Sequence, residues 1–273
     1  MRILIAADME GISGVTNWNQ VDPAHAEYPR FREIMTNDVN AAIKGAFDGG
    51  ATEVIVTDGH SYGTNILIER LDPRARLNAG NGSPFAMVAG IETSNVAGVI
   101  FVGYHARAGS TNGILAHTWS SRRIANLWIN DILLGEYGLN AAVCAHFGAP
   151  VIMITGDQTA CAQATELLGD LETVIVKRAY GFDAAECLPP AVTHEQIYET
   201  AKQAISRLKM GKAPKPYVIA SPMRVTVEFL QPEMVDGAMR LLGATRLDGR
   251  MITFMAPDMV AVYQGFQAVV GLA

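Results

Sequence analysis

The chain opens with a nearly unbroken apolar run, Arg2–Ala7 (RILIAA), and similar runs return at residues 53–57, 99–103 and 151–155. Short aliphatic and β-branched runs closed by polar residues predict strands buried on both faces. Between them, residues 31–49, 84–91 and Gln158–Leu168 carry apolar positions at helical spacing, and Gly49-Gly50 stops the first. This alternation predicts an α/β fold, a mostly parallel sheet covered by helices. A hairpin breaks the rhythm, with residues 126–129, a turn at Asn130-Asp131 and Ile132–Leu134, after which Glu136 opens a helix to His146.

After a short run at 174–176 the texture changes. Leu188-Pro189-Pro190 leads to a helix expected over 194–210, with Thr193 and Gln196 spaced as a capping box, and residues 211–216 (GKAPKP) read as a connector. Residues 223–229 alternate apolar and polar, Asp248-Gly249 marks a second hairpin, and Pro257 opens a final helix. The expected division is a catalytic α/β domain over 1–190 and a smaller mixed α/β region over 191–273.

A chain of 273 residues with 49 % hydrophobic and 18 % charged positions has the composition of a globular protein. Its formal net charge of −6, without a dense Lys/Arg cluster, argues against a nucleic-acid partner, and Lys177-Arg178 and Arg122-Arg123 read as solvated pairs. No apolar run reaches the ~18 residues of a membrane span, and the N-terminus lacks the pattern of a signal peptide, so a cytoplasmic location is expected. Three scattered cysteines, Cys144, Cys161 and Cys187, form no Cys-x-x-Cys pair and read as small buried hydrophobes.

The chemistry gathers where the strands end. In open α/β sheets ligands bind outside the carboxyl ends of the strands. There the chain places Asp8 and Glu10 (ADMEGISG), Asp58 and His60 (VTDGH) and His105 (GYHA), with His117 (LAHTW) and Glu136 (LGEYG) nearby. Residues two apart in an extended segment share a face, so Asp8 and Glu10 point the same way. Crowded carboxylates repel unless a cation compensates them. Three carboxylates and two imidazoles suit zinc, and they suit two ions sharing one bridging carboxylate better than a single open site. Such a pair activates water at neutral pH, the chemistry of a hydrolase. Asp58 is two residues from His60 and could accept its second ring proton. Asp157 reads as a helix N-cap, while His25, His146 and His194 default to surface or packing roles.

In this order, DMEGISG, DGH, GYHARA, HT, IND, GEYGLNA and TGD resemble the zinc-dependent D-aminopeptidase family, some of whose members are labelled dipeptide transport proteins. The motifs cover residues 1–160 strongly and the remainder only in general layout. The resemblance implies two zinc ions per subunit bridged by Asp8, with Glu10 and His105 completing one shell and His60 and Glu136 the other. It implies a catalytic His117, as nucleophile or general base, short peptides with D-residues such as D-Ala-D-Ala as substrate, and a homodecamer. Ala116 and Tyr137 depart from the family pattern and bear on pocket shape. Two other functions fit the bare residues: a binuclear amidase or phosphoesterase, and a non-enzymatic accessory of a dipeptide permease.

Overall fold

Strand β1 (Arg2–Ala7) is an inner strand of the larger sheet, and the two halves of its alternation bury different cores. The computed structural model describes residues 1–93 and 95–273. In chain order the elements after β1 are α1 (Tyr28–Gly49), β2 (Glu53–Asp58), β3 (Ala75–Asn78), β4 (Val96–Tyr104), β5 (Ile124–Ile129), β6 (Ile132–Leu134), α2 (Glu136–His146), β7 (Val151–Asp157), α3 (Gln158–Leu168), β8 (Glu172–Ala179) and β9 (Ala185–Cys187). There follow α4 (Pro190–Lys209), β10 (Met223–Phe229), α5 (Pro232–Ala238), β11 (Thr245–Arg246), β12 (Met251–Ala256) and α6 (Met259–Leu272).

Seven strands form one sheet in the order β3-β2-β1-β4-β7-β8-β9, parallel except for β9 at the edge. This is the helix-covered, mostly parallel sheet that the hydrophobic pattern predicts. Ile3, Ile5 and Ala7 pack against α1 and α4, through Val39, Ile43, Ile197 and Ala201. Leu4 and Ala6 face the other way, into a core shared with α2, α6 and the second sheet. That second sheet is antiparallel, in the order β11-β12-β10-β5-β6. The early hairpin β5-β6 therefore belongs with strands of the last third, while α4, beyond residue 190, covers the first sheet. Asn140 of α2 ties the layers together: its amide donates to the Tyr104 hydroxyl at 3.0 Å, and Tyr263 of α6 donates to its carbonyl at 2.9 Å.

Three local expectations need correction. Residues 84–91 form only a single 3-10 turn, Ala86–Val88, because Ala86 and Gly90 take φ of 37° and 94° and break any helix. The helix expected from 194 starts at Pro190, where the missing N–H of proline costs nothing. Thr193 is therefore inside the helix rather than capping it, and its hydroxyl bonds the Pro190 carbonyl at 3.1 Å and Ser13 Oγ at 2.7 Å. The last helix starts at Met259, capped by Asp258, which accepts from the Ala261 amide at 2.9 Å. Among the described residues no helix is long and apolar enough to cross a membrane.

Candidate metal centre

The chain runs from β1 to β2 and β3 on one side and returns to β4 on the other, so β1 and β4 flank a topological switch point. The end of β1 thus lies between two histidine-bearing loops, His60 after β2 and His105 after β4. Two glycines let the ends approach closely. A Cβ on Gly11 would lie 2.0 Å from the Tyr104 carbonyl oxygen, and one on Gly103, at φ +75°, would lie 2.3 Å from that of Asp8. The Gly11 amide donates to the Gly103 carbonyl at 2.7 Å and locks the approach.

All six expected residues converge there, in two groups that could each hold a metal ion: Asp8, Glu10 and His60, and His105, His117 and Glu136. His60 Nδ1 is 3.1 Å from Glu10 Oε2 and 3.4 Å from Asp8 Oδ1. His105 Nε2 is 3.1 Å from Glu136 Oε1 and 3.4 Å from Asp8 Oδ2, and His117 Nε2 is 3.6 Å from Glu136 Oε1. Asp8 offers one oxygen to each group. This pairing, Glu10 with His60 and His105 with Glu136, differs from the one the resemblance implied, because β2 and β4 lie on opposite sides of β1.

The imidazoles are oriented by the main chain. His60 Nε2 meets the Val21 carbonyl at 2.9 Å, His105 Nδ1 that of Ala106 at 3.0 Å, and His117 Nδ1 that of Leu115 at 2.8 Å. A carbonyl only accepts, so each of these nitrogens carries a hydrogen and the other turns inward. An inward nitrogen beside carboxylate oxygens requires a positive charge between them, either its own proton or a metal ion. Asp8 Oδ2 and His105 Nε2 are moreover buried without an aligned hydrogen bond. Orphaned buried polar atoms of this kind are expensive, and they fit a divalent cation. His105 and His117 stack with ring centroids 4.0 Å apart, and Trp18 meets His117 edge-on at 5.4 Å.

The electrostatics agree. Burial and the neighbouring Glu10 push the Asp8 carboxyl up to about 7. Burial would also raise Glu10 and Glu136, but the imidazoles of His60 and His105 hold them below the usual carboxylate range. Burial works against charge on His60 and His105, yet Glu10 raises the first well above its ordinary value and Glu136 takes the second to about 10. His117 is lowered by burial and by the charge of His105. A field that retains protons on buried imidazoles is one that attracts cations.

Supporting residues were only partly visible in the sequence. Asp58 does not reach the second nitrogen of His60; it accepts from the amides of Asn65 and Ile66 at 2.6 and 2.7 Å and shapes the loop instead. Asp157 is the N-cap of α3, as expected, and also accepts from the Ile114 amide at 2.7 Å. His25 and His146 are exposed, and His194 Nε2 lies 3.1 Å from Asp38 Oδ1. Lys177 is no solvated pair with Arg178. It is buried, and its ammonium donates to the carbonyls of Glu10, Ile12 and Val15 at 2.6, 2.9 and 2.7 Å. Burial lowers its pKa to about 8. Arg122 is exposed, as expected, and also lines the cavity that holds the cluster. Ser61, Leu115 and Trp119, beside the cluster, take φ of 51°, 50° and 64°, and strain of this kind gathers at functional sites.

The D-aminopeptidase pattern of peptidase family M55 matches residues 1–268, well beyond the reach of the short motifs. The chain is 36 % identical over 274 residues to a D-aminopeptidase of Bacillus subtilis (strain 168), covering 100 % of this chain and 98 % of that protein. Among solved structures it resembles the Zn-dependent D-aminopeptidase DppA from Bacillus subtilis, described as a self-compartmentalizing protease. The TM-score is 0.91 at 33 % identity, covering 100 % of this chain and 97 % of that one. With a family match along nearly its whole length and a close structural relative, the chain belongs to the D-aminopeptidase family of peptidases.

Proposed function

We propose that the protein is a binuclear zinc aminopeptidase that removes the N-terminal residue of short peptides, preferring D-residues, as in D-Ala-D-Ala. One observation carries this reading: three imidazoles, each fixed by a backbone carbonyl, turn their inner nitrogens onto three buried carboxylates. Glu10 and His60 would hold one ion and His105 and Glu136 the other, with Asp8 offering an oxygen to each group. Zinc bound there supplies Lewis acidity toward the scissile carbonyl and a water acidic enough to ionise near neutral pH.

The protein's own groups perform the remaining steps. His117 has Nδ1 committed to Leu115, so Nε2 is the nitrogen that takes a proton and returns it to the leaving amine. Glu136 Oε1, 3.6 Å away, favours the imidazolium formed in between. The cavity, about 450 Å³, lies in the range of small-ligand sites and suits a short peptide. Leu242, Leu247 and Met255 are exposed around the second sheet, and together with the self-compartmentalizing relative they support a closed homo-oligomer, with a decamer the expected form.

The test is zinc content per chain in protein purified without chelator, beside turnover of D-Ala-D-Ala and L-Ala-L-Ala. About two ions and a D-preference are expected. Fewer than about one ion rejects the binuclear centre, an L-preference rejects the stereochemistry, and retained turnover in His117→Ala removes that residue from the mechanism. Sedimentation velocity reports the assembly directly.

A further inference from the structure

We infer that Arg122 binds the C-terminal carboxylate of the substrate, which makes the preferred substrates very short peptides with a free C-terminus. The assignment rests on the aminopeptidase reading and deepens it.

Four carboxylates line the cavity, those of Asp8, Glu10, Asp58 and Glu136, and among the described lining residues Arg122 is the single Lys or Arg. No acceptor lies within hydrogen-bond or ion-pair distance of its guanidinium among the described residues, whereas Arg207, Arg224 and Arg250 each hold a carboxylate. With Asp8, Glu10 and Glu136 engaged by the metal ions of the proposed centre and Asp58 by the amides of Asn65 and Ile66, Arg122 is the cation on the cavity wall left to meet a peptide carboxylate. A guanidinium also offers the planar fork that matches a carboxylate in two parallel hydrogen bonds.

Arg122 is exposed, but the loop carrying it is anchored to the cluster. Three residues earlier the Trp119 amide donates to Glu136 Oε1 at 2.6 Å, and the Trp119 ring meets Tyr263 and Phe266 edge-on, each with centroids 5.5 Å apart. The turn then closes through the amides of Arg123 and Ile124, which donate to the Ser120 carbonyl at 3.1 and 3.0 Å. The root of Arg122 is thereby held relative to Glu136. Ser120, Ser121 and Gln267 complete a polar wall on the same cavity. An extended dipeptide spans about 7 Å, so an amine and scissile carbonyl at the cluster leave its carboxylate to be met within the same cavity. A longer peptide would carry that charge past Arg122.

The experiment compares kcat/KM for D-Ala-D-Ala and for its C-terminal amide in the wild-type protein, Arg122→Gln and Arg122→Lys. The wild type is expected to favour the free acid by about 10- to 100-fold, the worth of a charge-assisted contact. In Arg122→Gln this ratio falls toward one, mainly through KM of the free acid, and Arg122→Lys retains part of it. Equal turnover of acid and amide by the wild type overturns the assignment while leaving the aminopeptidase standing. So does an unchanged ratio in Arg122→Gln. Turnover of neither compound by the wild type removes the aminopeptidase reading itself.

Discussion

Replacing Lys177 by methionine removes an ammonium that forms no ion pair among the described residues, that Asp157 acts on only at longer range, and that three backbone carbonyls share. The side chain reaches from β8 to the loop after β1 and donates to Glu10, Ile12 and Val15 at 2.6, 2.9 and 2.7 Å. Hydrogen bonds to a charged group contribute about 1.5–3 kcal/mol each. Relief of the buried charge, a penalty of several kcal/mol, offsets much of that total. The three carbonyls left without a donor set the remainder, and a net loss of about 2–4 kcal/mol is expected. At about 2–4 °C per kcal/mol for a chain of this size, Lys177→Met should melt about 5–15 °C below the wild type. The released loop carries Glu10, so zinc retention against graded chelator should weaken by about 10- to 100-fold, as when other supports of a metal site are lost. The assay is scanning calorimetry at fixed protein concentration, since assembly shifts melting, with zinc measured after dialysis. The exposed neighbour serves as control: Arg178→Met should change stability by less than about 0.5 kcal/mol. A Lys177→Met protein that melts within about 2 °C of the wild type and keeps its zinc would refute the proposed strut.

Dialysis against a strong chelator should abolish hydrolysis and lower the melting temperature by at least about 5 °C, with zinc restoring both; ions held at a hundredfold excess over Kd contribute about 2.7 kcal/mol. A chelated protein with unchanged melting and activity would show that the cluster holds no metal. Gly103→Ala should reduce zinc content and kcat together, because the new Cβ would sit 2.3 Å from the Asp8 carbonyl oxygen at φ +75°; activity and zinc equal to wild type would mean that the strand ends can separate without harm. At pH 8 an aromatic disulfide reagent should titrate about one thiol in the native protein, that of the partly exposed Cys187, and all three in guanidinium. Burial pushes Cys144 upward and Cys161 up to about 12, so rapid reaction of either would contradict the packing around α2 and α3.

The central strands were legible because parallel strands covered on both faces must be apolar throughout, and the polar residue ending each one marks the ligand edge. Asp8, Glu10, His60 and His105 stood out for that reason, whereas His117 lies on a loop and Glu136 opens α2, and the role of His117 came from the family motifs. The pairing did not stand out, since Asp8, Glu10 and His60 come together only through the lateral order of β1, β2 and β4. Lys177 was misread because simple alternation in β8 would turn Val174 and Val176 inward and Lys177 out. The register slips between Gly156 and Asp157 of the neighbouring strand, placing Lys177 opposite Asp157 and inside. Arg122 lies on a loop without a periodic pattern, where burial and direction depend on Trp119 and Glu136 rather than on nearby residues. The start of α4 was missed because two consecutive prolines read as a break, although one of them occupies the first helical turn, where proline is welcome.

The carbonyls that orient His60, His105 and His117 belong to Val21, Ala106 and Leu115, and a main-chain acceptor has a consequence for how such a site evolves. An acceptor supplied by a side chain can be deleted by one codon change; a carbonyl persists whatever residue occupies the position. The aim of the three rings is therefore insulated from most point mutations and yields only to changes that bend the loops themselves. Neutral carbonyls also donate less electron density through the imidazole than carboxylates would. The rings remain moderate donors, leaving more of the positive charge on any ion they hold to act on a substrate.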